Sequence, residues 1–273
     1  MKKTSKTTIR WILWISMIST SLLLFAACTA GDDQKSFKES ETDPYVDVPK
    51  NEYETEAFYT EKGRIYYEKA LTGIDVSAHQ GSIDWEAVAE DGITFAYIRC
   101  GYRGYSEGGI EADEFFEENM EKAQDAHLKI GAYFFSQAIN VEEAQEEAAF
   151  VIEQLKGIPL DLPVTFDMED LGVADSRIAG LTVEERTAIA LAFCEALKKG
   201  GYTTMIYGNI KWLTQSLDLS QISEEKIWLA QYNDVPTFDY DFELWQYSNT
   251  GTVEGISGAV DLDLLFDHPL FFW

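Results

Sequence analysis

Two carboxylates, Asp167 and Glu169, close the apolar run in the stretch PVTFDMEDLG, residues 163–172. An extended chain alternates its side chains between two faces. These two acids therefore point the same way, about 6.5–7 Å apart at the backbone, while Met168 points into the packing. Asp170, the third acid in the row, points away and reads as a loop residue. Two further acids hold similar places: Asp75 in the strand-like run TGIDVS and Asp261 in AVDLDLLF. Like charges at close range push at least one carboxyl pKa upward, which keeps a proton available near neutral pH.

Glycoside hydrolysis uses such a set. One protonated carboxyl donates to the leaving oxygen, and another stabilises or attacks the oxocarbenium-like carbon. For any one of the four acids alone, a helix cap or a solvated surface position is the simpler account. Oxygen ligation of calcium or magnesium is a second alternative. No EF-hand spacing occurs, and His79, His127 and His268 show no metal-ligand spacing, so neither a metal nor a cofactor is expected.

Aromatic side chains favour a sugar. Tyr97, Tyr133, Phe135, Tyr207, Tyr232, Trp245 and Tyr247 all fall in strand-like runs. Flat apolar sugar faces stack on such rings, while amide and guanidinium groups bond the hydroxyls. Strand aromatics more often belong to the core, so about half of them are expected to line a groove. The candidate binding set is Tyr97, Arg99, Tyr133, Phe135, Tyr207, Tyr232, Trp245 and Gln246.

Alternating elements must position these groups. Eight short strand-like runs, each β-branched or aromatic and bounded by Gly, Pro, Asn or Asp, lie between Thr72 and Trp273. Helical patterns separate the first six. Thr182 and Glu185 form a capping box before the longest of them, and Gly157 is placed to stop another. The last two connections, around NDVPTFD and NTGTVEGIS, look too short for crossover helices, which predicts antiparallel final strands. The fold class is therefore α/β: a modified, incomplete TIM-like β/α barrel of five β/α units followed by three further strands. An open doubly wound sheet is the alternative. In a barrel the strand carboxyl ends build the site, and the first and eighth strands become neighbours, so Asp75 and Asp261 can converge on Asp167 and Glu169.

The N-terminus suggests a compartment. Lys2, Lys3, Lys6 and Arg10 precede the apolar stretch Trp11–Ala27, and small residues precede Cys28. Residues 1–27 read as a secretory signal, with an uncleaved spanning anchor as the alternative, since the 17-residue apolar run is at the short limit for a spanning helix. LLLFAAC is similar to a bacterial lipoprotein box, which makes Cys28 the expected lipidated N-terminus and places the protein on the outer face of the cell membrane, anchored by lipid. Residues 28–71 are polar and acidic and read as a flexible tether, with packing of the RIYYEKAL tyrosines on the domain edge as the alternative for its end, leaving 72–273 as one catalytic domain. Cys100 and Cys194 read as buried thiols rather than a disulfide. The net charge is −27; loss of the leader, with four basic residues and no acids, takes it to −31. Such a chain is a poor partner for nucleic acid.

Taken in order, GIDVSAHQGSIDW (73–85), FAYIRCGY (95–102), GAYFF (131–135), TFDMED (165–170), IYGN (206–209), WLAQY (228–232), LWQYS (244–248) and VDLD (260–263) resemble glycoside hydrolase family 25, the Chalaropsis-type lysozymes. The resemblance implies hydrolysis of the β-1,4 bond between N-acetylmuramic acid and N-acetylglucosamine in peptidoglycan glycan strands. By position it makes Glu169 the general acid and Asp167 the carboxylate supporting the reacting centre, with Asp75 and Asp261 as the other acids of the cleft. No family cell-wall-binding repeat is recognisable. A lipid anchor and tether in its place suggest wall remodelling or a role in envelope-spanning assembly. A wall-binding lipoprotein without turnover, or a glycosidase for another acetylated polysaccharide, are the alternatives.

Overall fold

The computed structural model describes residues 43–266, apart from Leu171, Ala174 and Asp175. The expected signal segment, Cys28 and the first part of the tether lie outside the described residues. A short hairpin, β1 (Phe58–Glu61) and β2 (Arg64–Tyr67), precedes the main sheet. The main strands are β3 (Leu71–Val76), β4 (Phe95–Arg103), β5 (Ile110–Ala112), β6 (Lys129–Ser136), β7 (Val164–Met168), β8 (Thr204–Asn209), β9 (Lys226–Ala230), β10 (Leu244–Gly251) and β11 (Val260–Leu265). Four helices lie between them: α1 (Trp85–Glu90), α2 (Phe116–Asp125), α3 (Val141–Gln154) and α4 (Val183–Lys199).

Hydrogen bonding runs β3-β4-β6-β7-β8-β9-β10-β11 and returns to β3, so eight strands close a barrel, with β5 added antiparallel to β4. The expected modified β/α barrel is what forms. Its ring is complete, and what is missing is part of the helical layer. The β8–β9 crossover carries a single π turn, Trp212–Ser216, and the last two connections carry no helix. One expectation fails here. β10 runs parallel to β9, and of the eight ring strands only β11 is antiparallel to its ring neighbours. The connection 231–243 needs no helix to return across the barrel end, because an extended chain of that length spans the distance and buries Phe238, Tyr240 and Phe242 on the way.

Local sequence explains the helix starts. Asp84, Asn140 and Thr182 each accept a backbone N–H of the first turn of α1, α3 and α4, and Glu185 completes the capping box at Thr182. Outward-facing residues of the strands, such as Ile98, Phe134, Phe166 and Ile206, pack against these helices in one continuous core. Cys100 and Cys194 are free, buried thiols, with burial raising both pKa values.

A second cluster fills the barrel itself: Phe95, Tyr97, Leu162, Met205, Tyr207, Trp228, Ala230, Leu244 and Leu265. Two glycines make room for its rings. A Cβ on Gly73 would lie 2.2 Å from the Phe95 ring, and one on Gly131 would lie 2.5 Å from the Tyr97 ring. Filling the lower barrel leaves the mouth at the strand carboxyl ends as its polar layer.

The N-terminal boundary also moves. Residues 43–71, assigned from composition to the tether, fold onto the barrel. The Tyr45 hydroxyl donates to the Thr214 carbonyl at 2.9 Å and the Tyr53 hydroxyl to the Phe242 carbonyl at 2.6 Å. Phe58 and Tyr67 of the hairpin pack on Trp245 and Phe266. Acidic composition hid these aromatic anchors. Among the described residues no helix is long and apolar enough to cross a membrane.

Candidate active site

The barrel mouth holds a cavity of about 300 Å³ whose walls include Asp75, Asp167, Glu169 and Asp261. Register explains the convergence. Asp75 and Asp261 are direct partners in the antiparallel β3–β11 pair. Asp167 sits near the end of β7, beside Phe135 of β6 and Tyr207 of β8, and Glu169 follows just past the strand. Met168 is fully buried on the other face, and Asp170 accepts the Gly172 N–H in an exposed turn. The alternation inferred from the sequence therefore holds at this strand.

Burial dominates the electrostatics. Glu169 is pushed up first by desolvation and then by the Asp261 charge. Asp75 is raised well above the carboxylate range by burial, then by Asp261. Asp167 is raised well up by burial, then by Glu169 and Asp75, against a smaller opposing pull from Arg99. Burial lifts Asp261 to about 6. These acids titrate as an interacting set, which holds fewer negative charges than carboxyls at neutral pH. Crowding contributes as expected, yet desolvation is the larger cause.

Hydrogen bonds fix the floor. Gln246 Nε2 donates to Asp75 Oδ2 at 2.7 Å. Its Oε1 accepts from the Tyr207 hydroxyl at 3.0 Å and the Tyr232 hydroxyl at 2.9 Å. The amide is thereby locked in one orientation and holds Asp75 in place. Arg99 Nε donates to Asp113 Oδ2 at 2.9 Å, and the same carboxylate oxygen accepts the Ala78 N–H. Asp113 thus ties the Arg99 side chain to the loop after β3. The buried Asp167 Oδ1 has no hydrogen-bond partner among the described residues.

Of the eight candidate binding residues, Arg99, Tyr133, Phe135, Tyr207, Tyr232 and Gln246 line the cavity. Two do not. Tyr97 lies a layer deeper, fully buried among the barrel rings, with its ring 4.7 Å from that of Trp228. Trp245 is fully buried on the outer face of β10, where its indole N–H donates to the Gln231 carbonyl at 2.8 Å. Consecutive strand residues face opposite ways, so Trp245 and Gln246 cannot share the cleft.

Sequence reasoning passed over several groups. Trp228, His79 and Asn249 line the cavity. Asp263 is fully buried two residues inward of Asp261; its Oδ1 accepts the Trp228 indole N–H at 3.0 Å, its Oδ2 has no hydrogen-bond partner among the described residues, and burial, with the Asp75 charge, raises its pKa. Alternation from Asp261 pointed to Asp263 in advance, since both share the inner face of β11. Among the described residues no three His, Cys, Asp or Glu side chains are disposed as metal ligands. The arrangement offers a buried proton donor, neighbouring carboxyls, and aromatic and amide walls for an uncharged polar ligand.

Residues 74–256 match the family model described as glycosyl hydrolases family 25. The chain is 28% identical over 194 residues to the autolytic lysozyme of Clostridium acetobutylicum, covering 71% of this chain and 55% of that one. It is 32% identical over 202 residues to Lysozyme M1 of Streptomyces globisporus, covering 70% and 66%. The chain thus spans about half the length of the first relative. A solved structure of the modular autolysin LytC from Streptococcus pneumoniae, in complex with a synthetic peptidoglycan ligand, superposes with a TM-score of 0.67 at 23% identity, over 77% of this chain and 52% of that one. That likeness concerns the fold.

Proposed function

The chain belongs to glycosyl hydrolases family 25, and from that premise we propose that it is a muramidase of peptidoglycan. The observation carrying this reading is the convergence of Glu169, Asp167, Asp75 and Asp261 in one cleft, with Glu169 held toward its protonated form by burial and by Asp261. Lysozymes among the relatives support the substrate class.

In the proposed reaction Glu169 donates its proton to the bridging oxygen as the bond from the N-acetylmuramic acid C1 to that oxygen breaks. Asp167 supports the developing positive charge and orients the substrate's 2-acetamido group. Water supplies hydroxyl to C1 and returns a proton to Glu169, giving a reducing end on N-acetylmuramic acid and a free 4-hydroxyl on N-acetylglucosamine. Asp75, fixed by Gln246, and Asp261 set the field around both groups. Tyr133, Phe135, Tyr207 and Tyr232 supply stacking surfaces.

Glu169→Gln, assayed with purified peptidoglycan and mass analysis of products, tests the assignment. The variant is expected to release no muropeptides above background. Release at the wild-type rate would remove Glu169 from the role of acid, and new reducing ends on N-acetylglucosamine would make the enzyme a glucosaminidase. Pull-down on wall by the wild type without released product would favour a binding protein.

The anchor is part of the same proposal. LLLFAAC and the following acidic stretch support lipidation at Cys28, with action on wall close to the membrane. Cys28→Ser is expected to move the protein from the membrane fraction to the medium. Unchanged fractionation would overturn the lipid anchor.

A further inference from the structure

The β1–β2 hairpin lies outside the residues matched by the family model and uses its two faces differently. Phe58, Ile65 and Tyr67 face the barrel core. On the opposite face the cross-strand pair Tyr59 and Tyr66 stack, ring centroids 5.5 Å apart and planes 19° from parallel. Tyr59 remains 55% exposed. A cross-strand aromatic pair steadies a hairpin, but that service does not require the pair to border a groove, and Tyr66 does.

The groove measures about 740 Å³, more than twice the cleft at the barrel mouth. Lys62, Arg64 and Tyr66 of the hairpin line it together with Ser248, Thr250 and Thr252, and the acids Asp91 and Glu254 lie in the same lining. The guanidinium of Arg64 is engaged: it donates to the Asp91 carbonyl at 2.8 Å and to the Thr252 carbonyl at 3.0 Å. Lys62 makes no salt bridge among the described residues.

The groove and the cleft lie against the same two strands, β10 and β11, from opposite faces. Asn249, between Ser248 and Thr250 on β10, lines the cleft; on β11 Asp261 lines the cleft and Leu262 the groove. A polymer leaving the cleft over β10 would meet the groove next. Two bases, Lys62 and Arg64, face two acids, Asp91 and Glu254, in the groove lining, a balance that suits uncharged sugar rather than a strongly acidic chain.

We propose that this groove, with the Tyr59–Tyr66 pair, is an accessory site for a peptidoglycan glycan strand. The proposal rests on the muramidase reading for its ligand class. Sugar faces stack on the tyrosines, and hydroxyl and acetamido groups bond to the Ser248–Thr252 wall.

Sedimentation of purified full-length protein with insoluble peptidoglycan tests this, with muropeptide release recorded on the same wall. Tyr59→Ser alters an exposed ring and leaves the core untouched, so the fold is not at stake. It is expected to weaken binding about tenfold, with a larger loss when Tyr66→Ser is added. Tyr105→Ser, at another exposed tyrosine, is the control expected to bind as wild type. Unchanged binding by Tyr59→Ser and by the double variant, in a protein that still releases muropeptides, would overturn the accessory site and leave the muramidase reading standing. Weakened binding by both in a protein that releases no muropeptides would keep the groove as a wall site and overturn the muramidase reading.

Discussion

Asp75 and Asp261 face each other as direct partners across the antiparallel β3–β11 pair. The strand that opens the barrel and the strand that closes it therefore place two acids at one level of the mouth. Direct partners on a sheet face lie with Cβ atoms about 4.5–5.5 Å apart, and like charges there are destabilising. Barrel closure is thus coupled to a charge penalty that only protonation relieves.

That coupling predicts a pH-dependent stability gain for Asp261→Asn. Burial raises Asp261 from 3.8 to about 6, so the folded state binds this proton more tightly than the unfolded chain. The resulting stabilisation is full below about pH 4 and is lost as pH rises through about 6. Above pH 7 the wild type carries the full penalty and the variant does not. The variant should gain on the order of 2 kcal/mol at pH 7.5, a rise of roughly 4–8 °C in Tm, and little at pH 4. Thermal unfolding at both pH values decides it; an equal Tm change at each would contradict the account.

Glu169 must be protonated to act as the acid, and its folded pKa is raised. The rate should fall as pH rises through that pKa. Glu169→Gln should lower kcat by about 10²–10⁴-fold while KM stays close to wild type. A pH–rate profile of kcat/KM on defined glycan strands, run beside the variant, checks both; a rate flat through the alkaline range would contradict a carboxylic acid donor.

Asp263 tests the buried layer under the cleft. Its Oδ1 accepts from Trp228 at 3.0 Å, and its Oδ2 is buried without a hydrogen-bond partner among the described residues. Asn at 263 retains an acceptor for the indole and brings no charge into the layer, so Asp263→Asn should fold at least as stably as wild type. Asp263→Leu leaves the indole N–H unpaired and should cost about 1–3 kcal/mol. Urea unfolding measures the difference. Equal stability of the two variants would remove Asp263 from this role.

Away from the cleft, Arg103 Nε donates to Glu147 Oε1 at 2.7 Å, and Ser136 donates to the other oxygen at 2.6 Å. Burial nonetheless raises Glu147 to about 7. Arg103→Met should cost about 3–5 kcal/mol at pH 8, because it strands a buried carboxylate. The loss should shrink at pH 5, where Glu147 is protonated, and adding Glu147→Leu should recover much of it. Denaturant midpoints at the two pH values read this out.

The sequence by itself determined the chemistry of the site. Period-two alternation put Asp167 and Glu169 on one face, and the ordered motifs brought Asp75 and Asp261 into the same set. Tertiary structure decided depth and face. Tyr97 shares the inward face of β4 with Arg99, yet lies a layer lower, because Gly131 leaves room for its ring inside the closed barrel. Only the stacking of layers tells a ring that fills the barrel from one that meets a ligand. Trp245 differs, since its placement beside Gln246 already contradicted a shared cleft. The hairpin and residues 43–57 were hidden because their few aromatic anchors sit among acids, and their burial depends on a barrel surface that exists only once the strands have closed. A side chain's direction is local and can be read along the chain; what lies beneath or against it is set by residues distant in sequence.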